Sequence, residues 1–214
     1  MIYLLSPAKR EGVFNLPMIE FKRVADTIDF NGVDTLMFTS KQAVVSANSI
    51  DKRWREFDSI AIGGATKAKI EELGGRVIFS PKNFYGETLA KDILERFRDR
   101  KILYLRPRVV SFDSKSFLEK NGVYIKEQII YETSCKNYSK DFQPKKGATI
   151  IFTSPSTIRC FFKNFKWDSS YSAVIIGKAT KKELPDVVKR VYIAEKPLID
   201  FCIKRAKEIE SESV

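Results

Sequence analysis

Hydroxyl groups and backbone amides are the main candidate chemical groups of this chain, because its 214 residues include no histidine. Histidine is the usual general base near neutral pH and the commonest metal ligand. Proton transfer must therefore use Tyr, Lys, a carboxyl group, bound water or the substrate itself. The cysteines Cys135, Cys160 and Cys202 have no paired spacing, so we expect no metal site.

Two motifs are written twice at one fixed offset. The segment Thr35–Ser40 (TLMFTS) recurs as Thr149–Ser154 (TIIFTS), and Ile62–Lys67 (IGGATK) recurs as Ile176–Lys181 (IGKATK). Both pairs are 114 residues apart. A shared offset over so long a span indicates an internal duplication into two similar lobes.

The rest of the chain also shows internal similarity, but the matching segments come in a permuted order. Ile102–Pro107 resembles Ile2–Pro7 at an offset of 100, and Gly122–Tyr131 resembles Gly12–Phe21 at an offset of 110. One lobe therefore runs through the middle of the chain, while the other is assembled from both ends and is missing one crossover helix. Tyr131 corresponds to Phe21, which has no proton to give.

The repeated motifs fall where a parallel sheet binds its ligands, beyond the carboxyl ends of the strands. Ser40 and Ser154 can cap the helices that follow, and tight turns at 63–66 and 177–180 lead into others. Free amides and the helix dipole at such turns favour anions, although a simple cap is the alternative for each serine. The candidate ligand contacts in these turns are Ser40, Gly63, Gly64, Thr66, Ser154, Gly177 and Thr180.

A rim of basic residues accompanies these turns. With 38 Lys and Arg against 27 Asp and Glu, the chain carries a net charge of +11, which indicates an anionic partner such as nucleic acid, acidic lipid or a polycarboxylate. Arg106 comes directly after a predicted strand. Other basic residues follow the predicted strand ends with some regularity, namely Lys9, Arg10, Lys41, Lys67, Lys82, Arg108 and Lys178. We find no helix-turn-helix, RNA-binding aromatic signature or zinc spacing, so nucleic acid is the weaker interpretation.

Tyr131 and Gly86 complete the candidate site. Tyr131 stands on a predicted crossing between the lobes, where its phenol would face the cleft as the proton donor; a packing tyrosine is the alternative. Gly86 opens a predicted helix at 86–98 and would present one more amide.

Short β-branched runs alternate with helical patterns, which predicts parallel strands joined by crossovers. We expect an α/β protein of two flavodoxin-like lobes, with strands near 34–39, 59–63, 76–80, 101–105 and 123–130, and near 1–5, 13–20, 149–153, 172–177 and 190–194. Residues 1–20 and 134–214 form the terminal lobe and 25–128 the central lobe. The crossings 20–25 and 128–134 pair as a two-stranded bridge that acts as a hinge.

No segment is apolar over the roughly 20 residues needed to span a bilayer, so we expect no membrane partner. An odd number of cysteines without a recognisable signal peptide indicates a reducing cytoplasm.

Several of these motifs together resemble the uroporphyrinogen-III synthase family. The matching segments are FTS at 38–40 and 152–154, IGxAT at 62–66 and 176–180, PMIEF at 17–21, Leu105–Arg106 and IIYET at 129–133. The similarity extends over nearly the whole chain.

The resemblance implies a two-lobed enzyme that acts on hydroxymethylbilane without a cofactor. It implies that Tyr131 assists the departure of the substrate's hydroxyl group, and that the cleft is lined by Ser40, Thr66, Ser154, Ser156 and Thr180. We expect the protein to be a monomer. The chain departs from the family at Pro107, where members usually have glycine. The alternative function is a two-lobed anion- or metabolite-binding protein without catalysis.

Overall fold

A computed structural model describes residues 1–81 and 85–212 of the chain. The chain divides into two compact units. Met1–Glu20 and Thr133–Val214 make up the first, which we call the terminal unit, and Phe21–Glu132 make up the central unit. Lys82, one of the basic residues named above, lies outside the described residues.

The strands, in chain order, are β1 Ile2–Leu4, β2 Phe14–Asn15, β3 Ile19–Arg23, β4 Thr35–Phe38, β5 Asp58–Ala61, β6 Arg76–Phe79, β7 Ile102–Pro107, β8 Ile125–Cys135, β9 Thr149–Phe152, β10 Ser172–Ile175 and β11 Val191–Ile193. The helices are α1 Lys41–Ile50, α2 Gly64–Glu72, α3 Gly86–Arg96, α4 Ser114–Lys120, α5 Pro155–Asn164, α6 Lys178–Lys181 and α7 Ile199–Glu212. Short 3₁₀ turns lie at Lys52–Glu56 and Lys140–Phe142.

The central unit is a three-layer α/β/α arrangement. Its sheet has the order β3-β8-β7-β4-β5-β6, and the β8-β7-β4-β5-β6 portion is parallel. Apolar residues alternate between two buried layers: Leu36 and Phe38 of β4 pack with α1 and α2, whereas Met37 packs with α3 and α4. Such strands, covered on both faces, need the nearly continuous apolar runs that mark them in the sequence.

The terminal unit repeats this layering. Its parallel sheet has the order β11-β10-β9-β1-β2. Ile150 and Phe152 of β9 pack with α5 on one face, and Ile151 packs with α7 on the other. The chain passes from β1 to β2 without a helix, at the point where the sequence predicts that a crossover helix is missing.

The mixed α/β fold with parallel sheets is confirmed, but the flavodoxin-like strand order is wrong. Numbering the central strands β4 to β8 as 1 to 5 gives the spatial order 3-2-1-4-5, whereas flavodoxin has 2-1-3-4-5. The alternation of strands and helices predicts parallel crossovers but not the side on which each new strand is added. The predicted strand at 13–20 is also split, because Pro17 has no N–H to donate to a ladder. The internal duplication stays a prediction.

The structure contains a disulfide that the spacing of the cysteines does not indicate. Cys135 at the end of β8 and Cys160 in α5 form a disulfide within the terminal unit. Their 25-residue separation carries no local signal, because the fold rather than the spacing brings them together. Cys202 lies in α7, where it is free and buried, and burial raises the pKa of its thiol to about 11. The cysteines therefore give no support for a reducing compartment.

No helix in the described part of the chain is both long and apolar enough to cross a bilayer.

The disulfide should be detectable by counting thiols. Closing a loop of 25 residues stabilises a fold by about 3 kcal/mol, so Cys160→Ser should lower the free energy of unfolding by roughly that amount. Denatured, unreduced protein should react with a thiol reagent at Cys202 alone, and reduced protein at all three cysteines. Three reactive thiols without prior reduction would show that the bond does not form.

Candidate functional site

Two adjacent hydroxyl groups follow β4 at the carboxyl edge of the central sheet. Thr39 and Ser40 are both half-buried, and Ser40 is the extended N-cap residue of α1. Its Oγ accepts a hydrogen bond from the Ala43 N–H at 3.0 Å. The serine thus satisfies a free amide of the first helical turn, as expected of a cap.

Tyr131 contacts this cap directly. Its side chain is 4 % exposed and its hydroxyl lies 2.9 Å from Ser40 Oγ. The Phe21 ring packs edge-on against it, with centroids 5.8 Å apart. Burial raises the pKa of Tyr131, and the hydrogen bond with Ser40 offsets part of that rise. One O–H of this pair forms the shared bond, so the other remains available to a ligand.

Tyr104 is a second buried phenol that the sequence analysis missed. Its hydroxyl lies 2.7 Å from Thr39 Oγ1, and its side chain is only 2 % exposed. Burial raises the pKa of Tyr104 to about 12, although the Thr39 hydrogen bond and the nearby Arg106 act in the opposite direction. The signal available in the sequence was a single polar atom in the aliphatic run ILYL, two residues before Arg106.

The Arg106 guanidinium is already occupied by groups of its own unit. Its Nε lies 3.1 Å from Glu127 Oε1, and both side chains are 17 % exposed. This contact is an ion pair but not a hydrogen bond, because the Nε–H group does not point at an acceptor among the described residues. Nη1 donates to the carbonyl oxygens of Pro107 and Arg108. A carboxylate ligand bound here would compete with Glu127.

The glycine turns of the central unit begin helices, as predicted. Gly63 is the N-cap of α2, and Thr66 in its first turn is 4 % exposed with no hydrogen-bond partner for its hydroxyl within the described ranges. Gly86 is the first residue of α3, where a Cβ atom would lie 3.1 Å from Phe112 Cβ. A side chain at Gly86 would therefore crowd Phe112 as well as cover the helix start.

Lys41 and Gly64 differ from these buried positions. Lys41 is the exposed first residue of α1, and a Cβ atom added at Gly64 would meet nothing within 4 Å. Packing therefore does not restrict which residue can occupy position 41 or 64.

The predicted site residues of the terminal unit lie at the carboxyl ends of β9 and β10. Ser154 caps α5 in a capping box with Thr157, and Ser156 Oγ accepts from Arg159 Nη2 at 3.3 Å. Gly177 precedes α6, and Thr180 is 3 % exposed. Each unit thus gathers its predicted residues at one sheet edge.

Groups of three or more Cys, Asp or Glu side chains suited to a metal ion do not occur in the described part of the chain. The polar groups at these edges are hydroxyls, amides and the basic side chains named above, which suit hydrogen bonding to anionic oxygen rather than metal coordination.

Comparison with known proteins gives one consistent result. The model of the family described as Uroporphyrinogen-III synthase HemD matches residues 9–204. Over 190 residues the chain is 28 % identical to the Porphyrin biosynthesis protein HemD of Ruminiclostridium josui, a match that covers 81 % of this chain but only 38 % of that protein.

Two solved structures have a similar fold. The uroporphyrinogen-III synthetase of Helicobacter pylori 26695 superimposes with a TM-score of 0.83 at 23 % identity, covering 97 % of this chain and 98 % of the other. A mutant uroporphyrinogen III synthase of the extremely thermophilic bacterium Thermus thermophilus gives 0.58 at 12 % identity, covering 99 % and 98 %. At these identities the similarity establishes the fold.

The pKa of Tyr104 predicts a pH-dependent stability. The phenol titrates near 10 in the unfolded chain and near 12 in the folded one, so its contribution is complete below pH 10 and is lost as the pH rises toward 12. Between pH 9 and 11 the wild type should lose about 1.4 kcal/mol more of its free energy of unfolding than Tyr104→Phe. Urea unfolding at both pH values measures this difference.

Tyr124→Phe is the matched control, because the side chain of Tyr124 is 48 % exposed. It should follow the wild type. Parallel losses in the wild type and Tyr104→Phe would contradict the shifted titration.

Proposed function

The chain belongs to the uroporphyrinogen-III synthase family, whose model covers most of its length, and we propose that it catalyses the reaction of that family. In this reaction hydroxymethylbilane is cyclised to uroporphyrinogen III with inversion of ring D and loss of water, a step of porphyrin and haem biosynthesis. The proposal applies to this chain itself, which spans little more than a third of the curated relative that it matches.

The chemistry makes modest demands on the protein. Loss of the terminal hydroxyl, aided by the substrate's own pyrroles, gives an electrophilic azafulvene. Ring D is attacked at its substituted carbon to form a spiro intermediate, which rearranges and closes the macrocycle. The protein therefore has to fold the chain, hold its eight carboxylates and supply a proton to the departing oxygen, and orientation alone can provide much of the rate.

The observation that carries the proposal is the Tyr131–Ser40 pair. A neutral phenol can serve as the acid here because tyrosine is protonated throughout the neutral range, and burial raises the pKa of Tyr131 further. Ser40 is both the cap of α1 and the hydrogen-bond partner of this phenol. The pair retains one O–H for the leaving hydroxyl of the substrate, in a chain with no histidine to perform the task.

The helix starts are the proposed carboxylate contacts. In the central unit they are Lys41, Gly63, Gly64, Thr66 and Gly86; in the terminal unit they are Ser154, Ser156, Gly177 and Thr180. Free amides and the positive end of the helix dipole favour anions at such positions, and the net charge of +11 attracts the substrate. Arg106 joins this set if a carboxylate of the substrate displaces Glu127.

We extend the proposal to the organisation of the chain. The two units derive from one duplicated lobe, with residues 20–25 and 128–134 as a two-stranded bridge; the adjacency of β3 and β8 supports the bridge. The protein acts without a cofactor, as a monomer and in the cytoplasm, and does not use nucleic acid or a membrane as a partner.

Isomer analysis tests the proposed activity. The purified chain, incubated with freshly prepared hydroxymethylbilane, should yield mostly the type III isomer after oxidation and chromatography. The type I isomer forms spontaneously and serves as the internal control. Product that is type I alone, from protein that still binds uroporphyrin, would favour the alternative of an anion- or metabolite-binding protein without catalysis.

Tyr131→Phe tests the acid. Removing the hydroxyl should lower kcat by about 10- to 1000-fold, the upper part of which overlaps the usual contribution of a general acid. Folding should change little because the ring still packs against Phe21. A loss below tenfold would place the acid elsewhere, and equal losses of stability and activity would make Tyr131 a structural residue.

A further inference from the structure

Thr39 and Tyr104 meet at the topological switch point of the central sheet. The helices α1 and α2 connect β4 to β5 and β5 to β6, and both pack on one face of the sheet. The helices α3 and α4 connect β6 to β7 and β7 to β8, and both pack on the other face. The sheet order therefore reverses between β4 and β7. In open α/β sheets this is the point where a crevice opens beyond the carboxyl ends of the strands and where ligands bind.

The parallel register aims the phenol at this point. Tyr104 lies opposite Met37 in the β4–β7 ladder, two residues before Thr39 on the neighbouring strand. Its ring belongs to the layer under α3 and α4. The hydroxyl reaches along the strand to Thr39 Oγ1 at 2.7 Å, at the end of β4.

The hydrogen bond has a preferred direction. Tyr104 is 2 % exposed, and Thr39 is the sole hydrogen-bond partner that the described residues give its hydroxyl. A buried phenol left without an acceptor would cost free energy, and a phenol donates more readily than an aliphatic hydroxyl. On these grounds we assign Tyr104 as the donor of a bond in which either hydroxyl could donate, and with this direction the proton of the half-buried threonine points away from the phenol.

The terminal unit lacks this arrangement at the corresponding place. Leu4 lies opposite Ile151 in the β1–β9 ladder, as Tyr104 lies opposite Met37. Thr153 follows β9 as Thr39 follows β4, and in the described part of the chain no phenol hydroxyl forms a hydrogen bond with its side chain. The phenol–threonine pair is thus a specific feature of the central unit and not a requirement of the sheet.

We infer that Thr39 donates a hydrogen bond to an anionic oxygen of the substrate, and that Tyr104 is a positioning residue that fixes the direction of this donor. The inference rests on the proposed synthase activity and adds a substrate contact to it. The ligand group is a carboxylate, the acceptor that a polycarboxylate presents and that a neutral hydroxyl can bind without a change of protonation. The contact acts on binding, so its loss changes KM rather than kcat.

The test compares three variants on hydroxymethylbilane. Thr39→Val keeps the shape but removes the donor and should raise KM by about 10- to 100-fold, as expected for a hydrogen bond to a charged group. Tyr104→Phe keeps the Thr39 hydroxyl but removes the hydrogen bond that orients it, and should raise KM by about 3- to 10-fold. The double variant should match Thr39→Val alone, because Tyr104 acts through Thr39. In each case kcat should stay within about twofold of the wild type.

Two further variants separate this role from packing. Thr39→Ser retains a hydroxyl and should restore KM to within about threefold of the wild type. Tyr171→Phe removes another buried phenol, which donates to the Pro144 carbonyl in the terminal unit, and should lower stability without changing KM. Unchanged KM in Thr39→Val and Tyr104→Phe, with lowered melting temperatures, would overturn the inference.

A binding measurement keeps this inference independent of turnover. The affinity for uroporphyrin, measured by fluorescence quenching, should fall in Thr39→Val and Tyr104→Phe by the same factors as KM rises. Wild-type protein that binds uroporphyrin but forms no type III product would remove the proposed function and leave the contact standing. Equal affinities in the wild type and Thr39→Val would remove the contact.

Discussion

The parallel register of β4, β7 and β8 is the constraint on which the candidate site depends. It places Tyr104 opposite Met37 and Tyr131 opposite Pro107, so that both phenols reach the carboxyl edge of the sheet. They approach from opposite faces, since Tyr104 lies in the layer under α3 and α4 and Tyr131 in the layer under α1 and α2. A slip of one residue would move each phenol to the other face and separate it from its hydroxyl partner.

The two phenol–hydroxyl pairs at this edge are neutral donors. Both phenols are buried and, like any tyrosine, protonated at neutral pH, and burial raises the pKa of each further. Each phenol forms a hydrogen bond with a hydroxyl of the Thr39–Ser40 pair. These two hydroxyl residues are half-buried, whereas the phenols are buried. Hydroxyls and helix amides can bind carboxylates without titrating near neutral pH, which suits the proposed reaction, in which the substrate makes its own electrophile.

The sequence predicted the elements better than their arrangement. Apolar β-branched runs located the strands, and the repeated motifs located the helix starts at Ser40 and Ser154. Strand order was not predictable, because alternation does not say on which side a crossover returns. The Cys135–Cys160 bond was missed since it joins elements that meet only in the fold. Tyr104 was missed because a tyrosine inside ILYL is typical of a core strand. Only the strand register shows that its hydroxyl reaches Thr39 at the end of β4.

A crystal structure of the chain with uroporphyrin III bound would test the central claim most directly, namely that the ligand binds at the carboxyl edge of the central sheet around the two phenol-supported hydroxyls. The account predicts ligand oxygen atoms within hydrogen-bond distance of Thr39 Oγ1 and Ser40 Oγ, with Tyr104 still bonded to Thr39. A ligand held at the opposite, amino-terminal edge of the central sheet, with both hydroxyls facing solvent, would contradict it.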